Sequence, residues 1–206
     1  MTFNLKATSS KSFTRVPPGP HVAVSNCIAD LGVQPSDLYS PKPQIFFRFE
    51  IPSVRTTDHN SPATVWRIFN ASLRPKAALR AFVEAWLGRA FGSDKEAERF
   101  DVETLLAKPA ILTVSETHRN DRVYANIDDI GPLPPSTPAP IPEMEPILYA
   151  GKHTAGFPKL PEWVRAKIIG QLRDSSPKPP EPSDYPHRPS TPDRKSVEIG
   201  PDDIPF

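Results

Sequence analysis

Arginine and aromatic residues recur together in three stretches of this sequence that have the alternation of β-strands. In each stretch an arginine stands two positions from an aromatic residue, so both side chains share one face of the strand. Such a face offers a cation to a phosphate and a ring to a base, which is the chemistry of single-strand nucleic-acid binding. The three pairs are Phe46 with Arg48, Arg67 with Phe69, and Arg122 with Tyr124.

Only the strand face that is exposed to solvent can contact a nucleic acid, and the pattern of apolar residues indicates which face that is. The odd-numbered residues of 45–51 are all apolar, so we expect Phe46 and Arg48 to point outward. In the flanking loops Lys42 and Arg55 are candidates for phosphate contacts, although loop charges are more often only solvated.

On the strand at 64–70 the sequence does not settle the orientation. Either the Arg67–Phe69 face or the Trp66–Ile68 face points outward, and we choose Arg67 and Phe69 because this keeps the arginine out of the core. The alternative is that Phe69, or Phe46 on the neighbouring strand, packs under the helix or against the bottom of a barrel.

Patterns for catalysis or metal binding are missing from the sequence. The five histidines are scattered, and there is no phosphate loop, Rossmann glycine pattern or Gly-x-Ser-x-Gly. The single cysteine, Cys27, excludes an internal disulfide and a cysteine cluster for zinc, and we expect it to be buried in a strand. Asp128 and Asp129 are adjacent, so on a strand they face opposite sides. We therefore expect no enzyme, cofactor or metal.

The elements that must position the arginine–aromatic pairs follow from hydrophobic periodicity. Strands are predicted from His21 onward, at 44–51 and at 64–70. In the first of these strands Asn26 interrupts the apolar face, which predicts a bend at that residue. The pair 45–51 and 64–70 is expected to form an antiparallel hairpin with a long tip.

A helical segment follows these strands. Pro75 is placed to open a helix, and apolar residues then recur at spacings of three and four from Leu79 to Phe91. Asp101 is a candidate N-cap for a short second helical turn. Two further strands are predicted at 110–117 and 122–127.

Three strands, a helical segment and two strands is the sequence order of the OB-fold, a small barrel that commonly binds oligonucleotides. We predict a mainly β fold with one or two helices: a five-stranded OB-like Greek-key barrel followed by a proline-rich, largely disordered C-terminal region. Other small barrels share this order.

Prolines divide the chain. Ten of the 28 prolines precede residue 131 and the other eighteen follow it. The expected organisation is an N-terminal arm or leading strand at 1–17, an OB-like domain at 18–130, a proline-rich linker at 131–173 with a short helix near 160–172, and a disordered tail at 174–206. The helix carries Trp163, so we expect it to pack back on the barrel, with docking on a partner as the alternative.

Net charge gives no signal for nucleic acid, since the formal value is +1 and the pI is about 7.9. No apolar run approaches the length of a transmembrane helix, and the N-terminus lacks a signal-peptide pattern. A cytoplasmic protein is therefore expected.

The final residues combine two carboxylates with an apolar pair. Such a peptide can place its terminal ring in an apolar pocket while basic residues at the rim pair with the acidic groups, and the proline lowers the entropy lost on docking. These residues are Asp202, Asp203, Ile204, Pro205 and Phe206.

This ending resembles the C-terminal tip of bacterial single-stranded DNA-binding proteins. The resemblance implies recruitment of replication, recombination and repair proteins, such as helicases, nucleases and primosome or polymerase components. The second half of the domain also resembles a group of phage single-stranded DNA-binding proteins. The stretches that carry this second resemblance are Leu79-Arg80-Ala81-Phe82, Leu105-Leu106-Ala107-Lys108-Pro109 and Tyr124-Ala125-Asn126.

Together these patterns predict a phage or bacterial protein that coats single-stranded DNA without strong sequence preference and recruits partners through its tip. The alternative is an adaptor that captures a host replication protein through the tip and binds no DNA itself. An exposed barrel edge leaves a homo-oligomer open.

Overall fold

The structure is a computed structural model that describes residues 14–36, 40–119, 122–151 and 154–174. Its strands are β1 (Gly19–Gln34), β2 (Lys42–Arg55), β3 (Pro62–Asn70), β4 (Pro109–Arg119), β5 (Arg122–Gly131) and β6 (Ile147–Tyr149). Its α-helices are α1 (Ala78–Leu87), α2 (Asp94–Glu98) and α3 (Glu162–Asp174), with 3-10 helices at Val102–Leu105 and Thr154–Lys159.

The strands form one six-stranded sheet with the order β3-β2-β1-β4-β5. Neighbours in this path are antiparallel, and the short β6 pairs with β1 in parallel. The predicted mainly β fold, with three strands, a helical segment and two strands, is confirmed. The predicted hairpin between 45–51 and 64–70 is also confirmed as β2 and β3.

Strand β1 organises the sheet because it pairs with three other strands. Its first part, from Gly19 to Val24, pairs with β4, and its later part pairs with β2 on one edge and with β6 on the other. The β1–β2 register shifts between Ser25 and Cys27, which places a bulge at Asn26. A bulge bends a strand, and the predicted irregularity at Asn26 is confirmed.

The main hydrophobic core lies between the sheet and α1. The buried residues Leu79, Phe82, Val83 and Trp86 recur at the predicted helical spacing. The Trp86 indole donates a hydrogen bond from Nε1 to the Pro109 carbonyl at 2.9 Å, which joins α1 to the start of β4. The prediction that Pro75 opens the helix is wrong, because α1 begins at Ala78 with Ala77 as its N-cap and Pro75 lies in the preceding turn.

Asp101 caps the first 3-10 helix, as predicted. Its side chain accepts a hydrogen bond from the Glu103 N–H.

A second hydrophobic core lies where the chain returns to the sheet after β5. There β6 and α3 bury Ile147, Val164 and Ile168 against Leu31 and Phe46. The sequence predicted an extended linker with a short helix in this region. This region also contains β6, which the sequence analysis did not predict. Three alternating residues give too weak a pattern to recognise as a strand.

Several predictions concern residues that lie outside the described ranges. Of the expected arm at 1–17 only residues 14–17 are described, and of the expected disordered tail at 174–206 only Asp174 is described, as the last residue of α3. The partner-binding residues Asp202, Asp203, Ile204, Pro205 and Phe206 lie outside the described ranges.

Candidate nucleic-acid interface

Phe46 and Arg48 are buried, so the prediction that they point outward is wrong. Phe46 is fully buried and Arg48 is 9% exposed. Strand β2 has no solvent face along this stretch, because α1 covers one side and α3 with β6 covers the other. Alternate residues of β2 therefore face two different hydrophobic cores: Phe47 and Phe49 face the main core, and Phe46 faces the second core. Neither face points to solvent.

A buried polar network surrounds Arg48. Its Nε donates to Asn26 Oδ1 at 2.9 Å, and Asn26 Nδ2 donates to Glu50 Oε2 at 2.9 Å. Burial lowers the pKa of Arg48, and the charges of Cys27 and Glu50 oppose that shift. An arginine nevertheless stays protonated. Arg48 is therefore a cation held just beneath the surface.

Cys27 is buried in β1, as predicted. Burial raises the pKa of its thiol to about 11, and the nearby guanidinium of Arg48 partly offsets this effect. The thiol is therefore inert at neutral pH.

Glu50 fastens the segment after β5 to the sheet. Its carboxylate accepts hydrogen bonds from the backbone N–H groups of Glu143 at 2.5 Å and Met144 at 3.2 Å. The Glu143 side chain forms a bidentate ion pair with Arg55, with both N–O distances at 2.7 Å. This pairing raises the pKa of Arg55 and lowers that of Glu143. Arg55 was expected in a loop, but it is the last residue of β2. Its guanidinium is held by the ion pair with Glu143.

The outward face of β3 is the one that the sequence analysis did not choose. Phe69 is buried in the main core, whereas Trp66 is exposed. Arg67 shares the inner face with Phe69, and its guanidinium lies 4.9 Å from the centroid of that ring. Its Nη1 donates to the Ile127 carbonyl of β5 at 2.6 Å. Arg67 can face inward because the Ile127 carbonyl accepts a hydrogen bond from its guanidinium. This hydrogen bond lies at the seam where β3 meets β5.

An aromatic cluster occupies the other face of β3. The Phe46 ring lies 6.2 Å from Trp66 and 5.4 Å from Trp163, and the two indole centroids are 4.7 Å apart. Both tryptophans keep a substantial exposed surface. The sequence analysis did not assign either of them to a site. The alternative outward face of β3, which carries Trp66, and the tryptophan in the predicted helix near 160–172 were the signals that point to them.

The β4–β5 hairpin carries the third predicted pair. Tyr124 is exposed, as is Asn126, which donates to Thr117 Oγ1 across the hairpin at 2.9 Å. Arg122 begins β5, but its side chain lies outside the part that the structure describes. Lys42 is exposed at the start of β2.

The predicted residues therefore fall into different environments. Phe46, Arg48 and Phe69 support the fold from inside, Arg67 bridges the seam, and Tyr124 remains on the surface. Whether any of them contacts DNA stays a prediction.

Within the described residues, no group of three His, Cys, Asp or Glu side chains gathers as a metal site requires. Among the helices described, none has the length and apolar character needed to cross a bilayer.

Comparisons with known proteins give no assignment. No family model matches the chain, and no curated protein matches it significantly.

Proposed function

We propose that this protein binds single-stranded DNA and recruits replication, recombination or repair proteins. The observation that carries the proposal is the sequence Asp202-Asp203-Ile204-Pro205-Phe206, which resembles the tip of bacterial single-stranded DNA-binding proteins. The strand order supports it, because helices between β3 and β4 in a five-strand path match the arrangement of OB-folds that bind oligonucleotides.

The DNA contacts are non-specific. Phosphates meet Lys42 and Arg122, while Tyr124 offers a ring to a base. Arg55, predicted as a further phosphate contact, is instead held by its ion pair with Glu143. Because Arg48 and Arg67 are bound within the fold, they act through the electrostatic potential and the shape of the surface. The near-neutral net charge is compatible with this function, because binding depends on local charge along a groove.

The partners are helicases, nucleases, and primosome or polymerase components, which the tip recruits with its carboxylates and apolar end. The setting is the cytoplasm of a bacterium or a phage-infected host. The protein acts by binding, without catalysing a reaction or holding a cofactor.

An adaptor that captures a host replication protein without binding DNA is the second candidate. The observation that favours it is the burial of Phe46, Arg48 and Phe69, which removes three predicted contacts from the surface. Substitutions of Arg48 and Arg67 cannot separate the two candidates, since both arginines also hold the fold together.

The test is fluorescence anisotropy of labelled oligo-dT with the full chain across a range of salt concentrations. Single-strand binding predicts tight association that weakens as salt rises and that a duplex of equal length does not match. Tyr124→Ala should weaken binding, while Thr113→Ala, an exposed change on the adjoining strand, should not. A folded protein that binds no oligo-dT at low salt supports the adaptor and rules out the DNA-binding function.

A further inference from the structure

Trp66 of β3 and Trp163 of α3 form a partly exposed pair of indole rings. Their ring centroids are 4.7 Å apart, and their planes are inclined by 43°. Trp66 is 47% exposed and Trp163 is 38% exposed, whereas the third tryptophan, Trp86, is fully buried. Exposed indole surface costs free energy in water. Two such rings side by side indicate a surface that another molecule covers.

The pair is held in place from below. Phe46 is fully buried and contacts both indoles, and its ring meets Trp163 edge-on at 5.4 Å. Val164 and Ile168, one turn apart on α3, are buried in the same core and seat the helix on the sheet. A ligand that stacks on these indoles therefore loses little entropy in ordering them.

An exposed cation of α3 lies on the same side of the helix as Trp163. Lys167 is exposed and lies four residues after Trp163, so the two side chains share one side of α3. Arg48 lies directly opposite Trp66 in the β2–β3 register. Among the described residues Lys167 forms no ion pair with a carboxylate, whereas Arg48 is buried and Glu50 supplies negative charge close to it. Strand β3 contains no acidic residue, and Glu162 is turned about 100° around α3 from Trp163.

We propose that Trp66 and Trp163 form a stacking platform for the bases of single-stranded DNA, with Lys167 positioned for a phosphate. This inference rests on the proposed function and deepens it, because it places the bases on a site shared by β3 and α3. On the outward side of β3, Thr64 and Asn70 are exposed and polar, while Ile68, between Trp66 and Asn70, is half-buried against the second core. The indoles are therefore the main exposed apolar surface on this face of β3, which suits a planar base better than a broad apolar partner surface.

The direct test is intrinsic tryptophan fluorescence of the full chain titrated with oligo-dT. Stacking on Trp66 and Trp163 should quench their emission and leave a residual signal from the buried Trp86. Trp66→Ala and Trp163→Ala should each weaken oligo-dT binding about tenfold. Trp163→Phe should retain most of the affinity, because it keeps an aromatic face.

Ile169→Ala is the matched control for Trp163→Ala. Ile169 lies on the same helix and is 40% exposed, but it is not part of the ring cluster. The control should bind oligo-dT with unchanged affinity. Circular dichroism and thermal melting show which variants are folded. If Trp163→Ala unfolds, Trp66→Ala and the quenching of the unsubstituted protein decide the question.

The outcomes separate this site from the proposed function. Unquenched emission at saturating oligo-dT, or full affinity in the folded alanine variants, overturns the platform and leaves DNA binding in place. Full DNA affinity combined with loss of a protein partner assigns the pair to protein docking and also overturns the platform. A wild-type chain that binds no oligo-dT overturns the proposed function itself.

Discussion

At the scale of single residues, the carboxylate of Glu50 joins three parts of the chain. It is fully buried, accepts hydrogen bonds from Asn26 in β1 and from the backbone at Glu143 and Met144, and lies in β2 itself. It also supplies negative charge close to Arg48. Removing a buried carboxylate with this many partners destabilises the folded protein, because each buried donor then lacks a hydrogen-bond acceptor.

Glu50→Ala is therefore expected to lower the free energy of unfolding by roughly 2–4 kcal/mol. The loss comes from two unpaired backbone N–H groups and from an uncompensated buried Arg48. Urea denaturation monitored by tryptophan fluorescence measures it. Glu116→Ala, a change at an exposed glutamate on β4, is the control and should have almost no effect. Equal stability of the two variants would show that the network contributes nothing.

At the scale of elements, the return of the chain to the sheet depends on a close approach at Gly156. A Cβ atom built there would lie 2.2 Å from the carbonyl oxygen of Leu148 in β6. Backbone atoms cannot yield as a flexible side chain can. The 3-10 helix therefore packs on β6 only because residue 156 has no side chain.

Gly156→Ala is expected to destabilise the protein by about 1–3 kcal/mol, since the 3-10 helix must move away from β6. Gly170→Ala is the matched control. Gly170 lies within α3 and has open space around its Cβ position, so alanine there should be neutral or stabilising by about 0.5–1 kcal/mol. The midpoints of urea unfolding compare them. A Gly156→Ala variant as stable as the control would contradict the close approach.

The elements also show how far sequence periodicity reaches. The strands β2 to β5 and helix α1 were predicted because each has a long, regular pattern. Strand β6 was not, since its three residues form a strand only through pairing with β1. The face of β3 could not be predicted either, because both of its faces carry an aromatic residue.

At the scale of the whole molecule, opposite charges occur on one chain. Asp202 and Asp203 belong to a tail, outside the described residues, that is predicted to be disordered, while the proposed DNA contacts include the cations Lys42, Arg122 and Lys167. Such a tail can compete with DNA for these cations when no strand is bound. This competition is electrostatic and is therefore screened by salt.

Removal of residues 199–206 is expected to tighten oligo-dT binding at low salt, with the difference vanishing at high salt. Anisotropy titrations of the two proteins at matched salt concentrations measure it. The double change Asp202→Asn with Asp203→Asn should reproduce the effect at full length. Phe206→Ala keeps the side-chain charges and should leave DNA affinity unchanged while weakening partner binding. Identical affinity with and without the tail at low salt would exclude the competition.

The sequence by itself determined the mainly β fold, the order of its long elements and the resemblance of its last residues to a recruitment tip. These features are local, since each depends on the spacing of neighbouring residues. Only the tertiary structure decided that Phe46 and Arg48 are buried, that Arg67 bridges β3 and β5, and that Trp66 meets Trp163. Alternation along a strand gives two faces, but what covers each face depends on segments far away in the chain. Here α3, more than 90 residues after β3, decides which aromatic rings remain in contact with solvent.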